Sequence, residues 1–439
     1  MEQPPMQNVM GLGLRVLNRV AGLPVVDRLG LRPTTERWIY QASKTGFQAA
    51  TLAARQFKAT QKLLKPARLP RAARPELFDL TPTDDQQALK EAAQSFAMEQ
   101  LRAAGQQADT DGKASPELLA QAAELGVAIL GVPEELGGAG SERSVMTNVL
   151  MAEALAQGDL GLAVACLAPT AVSTALVLWG DADQQARYLP AFVGEQPPVA
   201  ALAVMEPRPL FDPQQLDTTA TRSDGGFVLN GVKTLVPRAA EAELFIVAAS
   251  LDGQPALFIV EAGAAGLTTE AEPAMGLRAA SMARLQLGNV SVPATALLGA
   301  GAAEVYDECI ALSRLAWCAL AVGTSQAVLD YLIPYVNERV AFGEPISHRQ
   351  AVAFAVSNVG IELEGMRLLT YRAASRAEQG QDYVRQVALA RRLCADKGMA
   401  IGSDGVQLLG GHGFTKEYPV ERWYRDLRAV GLMEGVLLV

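Results

Sequence analysis

Helical periodicity runs through most of the chain and lapses in one middle stretch. From Thr81, Leu89, Ala92, Ala93, Phe96 and Leu101 recur at three- and four-residue spacing behind a capping signal at Thr83 or Asp84, which predicts a helix. Ser115-Pro116-Glu117 opens another, ending near Gly126. Residues 144–157 and 161–179 predict two more, and residues 183–192 close an all-α unit. The pattern changes near Pro197. Residues 199–204, 227–229, 244–249, 256–260 and 283–287 are short apolar or alternating runs split by Gly, Pro and Asp, the mark of a small β-barrel or sandwich. Helices return beyond residue 301: residues 306–339, uninterrupted except at Pro334, then 351–379 and 384–410, an antiparallel bundle. The expectation is a mostly α protein with a middle β domain. It divides into a basic helical extension and linker over 1–80, an N-terminal α-helical domain over 81–197, a small β-barrel over 198–300 and a C-terminal four-helix bundle over 301–439.

The extension has its own pattern. Met10, Leu14, Leu17, Val20 and Ala21 share a helical face beside Arg15 and Arg19, and residues 34–65 repeat the motif before a basic, proline-interrupted linker at residues 66–75. No apolar run in this extension reaches the roughly 18 residues a membrane span needs, and arginines break it too often for a secretory signal. Four readings stay open: a helical pair docked on the body, a membrane-surface anchor over residues 6–65, a partly disordered arm, and a mitochondrial transit peptide.

At 439 residues, half of them hydrophobic and only 6% aromatic, the chain can bury a large Ala/Leu-rich core. The net charge of −9 conceals an asymmetry: residues 1–75 carry +10, leaving −19 for the rest. An acidic body argues against nucleic acid as a partner. Cys166, Cys309, Cys318 and Cys394 lie scattered in apolar helical stretches without a CxxC pair, so they read as buried reduced thiols of a cytoplasmic-type compartment. That places the chain in the cytoplasm, peripheral to the inner face of the membrane if the anchor reading holds. Two histidines, His348 and His412, exclude a histidine-rich metal site, and no metal is expected.

The chemistry concentrates between Gln407 and Gly435. Gly410, Gly411 and Gly413 have no Cβ to hold off a bulky ligand. Glu434 stands among Val430, Leu432, Met433, Val436, Leu437 and Leu438, where an unpaired carboxylate would lose hydration and become a stronger base. A helix C-cap followed by a solvated loop acid explains the same residues.

The run Gln-Leu-Leu-Gly-Gly-His-Gly-Phe, then Glu-Tyr-Pro-Val-Glu-Arg, Tyr-Arg-Asp and a final Glu-Gly, resembles the C-terminal signature of the acyl-CoA dehydrogenase family. Matching segments cover roughly residues 81–436, among them Pro133-Glu134 through Gly140 and Asn230-Gly231-x-Lys233. The resemblance implies FAD as cofactor and α,β-dehydrogenation of an acyl-CoA thioester to the trans-2-enoyl-CoA, with an electron-transfer flavoprotein as acceptor. It makes Glu434 the catalytic base and assigns Arg314, Met433 and Gly435 to the substrate. Val204, Met205, Gln407, Gly410 and Gly411 fall at its cofactor positions. So do Arg339, Phe342, Ile346 and Gln350, of the family's Arg-x-x-Phe-Gly-x-x-Ile-x-x-x-Gln. There the arginine and glutamine reach the cofactor of a neighbouring subunit, which requires a homodimer or homotetramer.

The sequence also departs from the family. Thr/Ser-Glu-Pro stands here as Met205-Glu206-Pro207, Gly-Ser-Asp as Leu210-Phe211-Asp212, and Trp-x-Thr-Asn as Leu235-Val236-Pro237-Arg238. Losing two or three hydrogen bonds at about 1 kcal/mol each would weaken flavin binding or shift its potential. The family's aspartate three residues before the CoA arginine is Ala311, and Val436 replaces a threonine. The family's last helix is expected after residue 439, in a longer protein, or to be dispensable. Two rival functions follow: a non-catalytic member acting as an assembly or acyl-CoA-binding subunit, and an oxygen-using flavin oxidase or monooxygenase.

Overall fold

A computed structural model describes residues 80–138, 144–194 and 196–437, all within one compact unit. The basic extension and its four readings lie outside the described residues, as do Ala139 and Gly140 of the glycine-rich loop. The first layer is helical. α1 (Asp84–Phe96) starts at a capping box in which Thr83 and Gln86 exchange side-chain and backbone hydrogen bonds. It passes through a π-helical turn at Ala97–Leu101 into α2 (Arg102–Asp111). α3 (Pro116–Glu124) is capped by Ser115. α4 (Val145–Gly158), α5 (Leu160–Trp179) and α6 (Ala182–Phe192) follow, α5 capped by Asp159 and α6 by Asp181.

Seven strands form the middle layer: β1 (Ala200–Ala203), β2 (Thr219–Ser223), β3 (Gly226–Val236), β4 (Leu244–Leu251), β5 (Gln254–Glu261), β6 (Leu267–Ala271) and β7 (Ala283–Pro293). Their pairing runs β1-β4-β2-β3-β7-β6, with β5 on the other edge of β4, and no pair between β5 and β6 closes the ring among the described residues. β4 and β5 are buried over most of their length, whereas β2 and β6 are largely exposed. That exposure explains why hydrophobic alternation revealed five strands and not seven.

The last layer holds α7 (Ala303–Glu338), a hairpin of β8 (Val340–Ala341) and β9 (Glu344–Pro345), then α8 (Gln350–Glu378), α9 (Val384–Leu409) and the short α10 (Val420–Leu427). α7 runs through Pro334 without a break, its turns held by buried Leu332 and Val336. α5 and α7 are long and apolar enough to cross a membrane, yet both are core helices with most of their surface inside the protein. A helix buried on every side is hydrophobic on every side. α7 lies close against α4: a Cβ on Gly323 would fall 2.0 Å from the Glu153 carbonyl oxygen. Glu153 also accepts from Lys90, Arg367 and Tyr371, tying α1, α4 and α8 together.

Candidate active site

Glu434 lies three residues past a short 3-10 turn (Arg428–Gly431) that follows α10, and sits in the left-handed region with φ 58°, followed by Gly435 at φ 97°. A non-glycine residue is costly there, and such backbone persists only where the surroundings over-determine it. Those surroundings come from three elements. Arg314 of α7 donates Nε and Nη2 to the Glu434 carbonyl at 3.0 and 2.8 Å. Arg391 of α9 donates Nη2 to the Gly435 carbonyl. From the β layer, the Phe211 carbonyl accepts from Val436 N–H at 3.1 Å, and Met205 Sδ accepts from Gly435 N–H at 3.4 Å. A Cβ on Gly435 would lie 2.6 Å from Pro213 Cδ, so glycine is required by both space and conformation.

The loop that meets this turn is fixed at its neck. Glu206 accepts from Asp217 N–H at 2.7 Å and Thr218 N–H at 2.9 Å, and pairs at 2.8 Å with Lys233 of β3. Both side chains are almost fully buried. Burial pulls the lysine down to about 8 against the opposing pull of Glu206. Farther along, Tyr306 of α7 donates to the Pro213 carbonyl at 2.6 Å.

The Glu434 carboxylate is buried, 6% of the residue being exposed. Oε1 accepts from Ser313 Oγ at 2.8 Å, while Oε2 is buried without a partner. Desolvation raises its pKa; the Ser313 hydrogen bond, the Arg391 and Arg314 charges and the Trp317 side chain oppose the rise. The neighbourhood is therefore not the purely apolar one suggested by residues 430–438. Its polar members arrive from distant helices.

Val204 and Met205 are buried beside this turn, as is Met433. The other expected residues lie elsewhere on the chain. Arg339 caps the far end of α7, 25 residues beyond Arg314, or about 37 Å at 1.5 Å per residue. Arg339, Phe342 and Gln350 are exposed, Phe342 at 97%, and Ile346 is half-buried. Phe342 and Ile346 line an open depression of ≈ 570 Å³ together with Ala341, Arg349 and Val352. Gln407, Gly410 and Gly411 are exposed at the end of α9, where Tyr335 of α7 bonds the Leu409 carbonyl and His412 Nδ1. One chain thus presents two separated groups of candidate residues, at opposite ends of α7.

Ser313, Trp317 and Arg391 were not legible as site residues. Ser313 and Trp317 stand one helical turn apart on α7 beside Arg314, the one local signal. Arg238 is a further buried cation. Pro169 lacks the N–H that would satisfy the Ala165 carbonyl in α5, and Arg238 Nη1 lies 3.5 Å from that oxygen. Gly161 of α5 is closely packed: a Cβ on it would lie 3.2 Å from the Cβ of Ala279.

Three family descriptions match successive parts of the chain: acyl-CoA dehydrogenase N-terminal domain over residues 83–196, middle domain over 201–290 and C-terminal domain over 300–437. The chain belongs to the acyl-CoA dehydrogenase family. It is 31% identical over 363 residues to the short/branched chain specific acyl-CoA dehydrogenase of Rattus norvegicus, covering 80% of this chain and 83% of that one. With the short-chain specific acyl-CoA dehydrogenase of Megasphaera elsdenii it shares 30% identity over 370 residues, 82% and 96% of the two chains. The butyryl-CoA dehydrogenase structure from Megasphaera elsdenii superposes with a TM-score of 0.76 at 29% identity, over 82% of this chain and 97% of that one. A structure of PigA with FAD and proline superposes with a TM-score of 0.76 at 26% identity, over 82% and 96%. As a family member the chain is an oxidoreductase acting on CH–CH groups.

Proposed function

We propose that the protein catalyses FAD-dependent α,β-dehydrogenation of an acyl-CoA thioester to the trans-2-enoyl-CoA and passes the electrons to an electron-transfer flavoprotein. The observation that carries this reading is Glu434: a buried carboxylate with a raised pKa, on a strained turn where the β layer meets α7 and α9. A solved structure described for the electron-transferring flavoprotein of Acidaminococcus fermentans superposes with a TM-score of 0.77 at 29% identity, over 82% of this chain and 97% of that one, which supports that acceptor.

The donor set fits FAD. Arg339 offers a planar guanidinium for phosphate oxygens, Gln350 and Gln407 offer amides, and a Cβ on Gly410 or Gly411 would meet nothing within 4 Å. Val204 and Met205 contribute main chain, since hydroxyls are absent at Met205, Leu235 and Pro237. The separation of about 37 Å along α7 keeps Arg339 and Glu434 of one chain from serving the same cofactor, which favours a homodimer or homotetramer with sites shared between chains. An exposed stripe of Phe354, Ile361 and Leu368 at seven-residue spacing on α8 supplies an apolar face for such an assembly.

When bound, FAD supplies the acceptor for the β-hydrogen as hydride. The protein's own part is proton transfer and charge stabilisation. Glu434 takes the α-proton on Oε2, the oxygen that Ser313 does not occupy. The Glu434 backbone N–H polarises the thioester oxygen, where negative charge develops. Burial excludes water and strengthens both effects. Arg314 anchors the turn, and its Nη1, not used in that clamp, is the nitrogen for the CoA portion.

A second reading rests on the packing of Met205 and Pro213 against Gly435 and on the absent hydroxyls: a non-catalytic member that binds acyl-CoA or assembles with a partner. The absorbance of the purified protein separates the two. The dehydrogenase is yellow and bleaches anaerobically with at least one member of an acyl-CoA panel. A colourless preparation that takes up no FAD supports the second reading.

A further inference from the structure

Two buried arginines on different helices hold two consecutive carbonyls: Arg314 holds that of Glu434, and Arg391 that of Gly435. For Arg314 a substrate role was already expected; nothing in the sequence motifs marks Arg391. Arg391 is 4% exposed, and its second terminal nitrogen, Nη1, is buried without a hydrogen-bond partner. So is Glu434 Oε2. A neutral donor would suffice to hold one carbonyl, and burying a charged guanidinium with an unsatisfied N–H is costly. The expense is explicable if the positive charge itself acts on the neighbouring carboxylate.

We infer that Arg391 is a positioning residue for Glu434: Nη2 fixes the left-handed turn from which the carboxylate projects, and the guanidinium charge keeps that buried carboxylate ionised and available as a base. This rests on the dehydrogenation reading above.

Other groups face Glu434 from each packed element. α7 contributes Tyr306, Cys309 and Arg314; the β layer contributes Lys233, already paired with Glu206. Asp212 of the covering loop acts on Arg314, and Cys318 lies beside Arg391. Tyr306 and Cys309 are pushed up by burial and stay neutral, and the Lys233 charge is largely spent on Glu206. Arg391 and Arg314 are left as the cations that act on Glu434, with Arg391 the stronger. Burial draws the Arg391 guanidinium down to about 10, still charged at neutral pH.

The test uses the full chain as purified. The pH-dependent infrared difference between wild type and Glu434→Gln reports the midpoint at which the Glu434 carboxyl protonates, and the same difference is recorded in Arg391→Gln and Arg391→Lys backgrounds. Arg391→Gln, which keeps a donor but no charge, is expected to raise the midpoint by about one pH unit. Arg391→Lys keeps the charge, so its midpoint stays near wild type, while a shorter ammonium that no longer holds the Gly435 carbonyl from the Nη2 position slows anaerobic bleaching by acyl-CoA about tenfold or more. An unchanged midpoint in Arg391→Gln overturns the inference. If that variant does not fold, unaltered bleaching in Arg391→Lys overturns it. The infrared midpoint requires no substrate, so a wild type that fails to bleach with any acyl-CoA refutes the dehydrogenation reading separately.

Discussion

Ser313 Oγ donates a 2.8 Å hydrogen bond to Glu434 Oε1 across 121 residues of sequence, joining α7 to the turn after α10. The bond stabilises the ionised form and opposes the rise that burial imposes on the carboxyl. A base works only when ionised, so activity falls as pH drops through the Glu434 pKa. Ser313→Ala raises that pKa further and is expected to move the acid limb of the pH–rate profile to higher pH by about one unit. Anaerobic bleaching rates across pH check this; an unmoved limb means the hydrogen bond does not govern the base.

Gly435→Ala places a methyl 2.6 Å from Pro213 Cδ at a φ of 97°. The expected cost is about 1–3 kcal/mol of stability. Denaturant unfolding measures it, and a loss below about 0.5 kcal/mol would show that the loop yields freely.

Sites shared between chains predict complementation. Arg339→Ala and Glu434→Gln are each expected to be inactive alone. Co-expressed, they assemble mixed oligomers in which one site draws an intact Arg339 from one chain and an intact Glu434 from the other. Activity returning only in the mixture supports shared sites; silence in purified mixed oligomers argues for sites within single chains.

Asp426 accepts from Leu277 N–H at 2.6 Å, fastening the β layer to α10, and burial pushes its carboxyl up to about 7 with Asp159 adding to the rise. The folded pKa lies above the ordinary value of 3.8, so the folded chain holds this proton more tightly. Its contribution to stability is therefore full below the ordinary value and is lost as pH climbs through about 7. Asp426→Asn, which keeps the acceptor without the charge, is expected to have a melting temperature that gains on wild type between pH 4 and pH 8. A constant gap would show that the aspartate does not titrate in that window.

Much of this was readable because helices dominate and carry their own signals. Thr83 and Ser115 cap α1 and α3, whose apolar positions recur at helical spacing, while α4 and α5 are marked by unbroken apolar runs. Glu434 could be singled out because a contiguous motif surrounds it. Ser313, Trp317 and Arg391 could not, since only the packing of α7, α9 and the C-terminal turn brings them together. β2 and β6 escaped for a different reason: exposed on most positions, they carry no alternation to detect.

The most direct measurement is anaerobic reduction of FAD-loaded protein by acyl-CoA in wild type and in Glu434→Gln. Both proteins are expected to bind FAD with similar absorbance, wild type to bleach with at least one acyl-CoA, and the variant to bleach at least about 10³-fold more slowly. Equal bleaching rates in the two proteins would contradict Glu434 as the base.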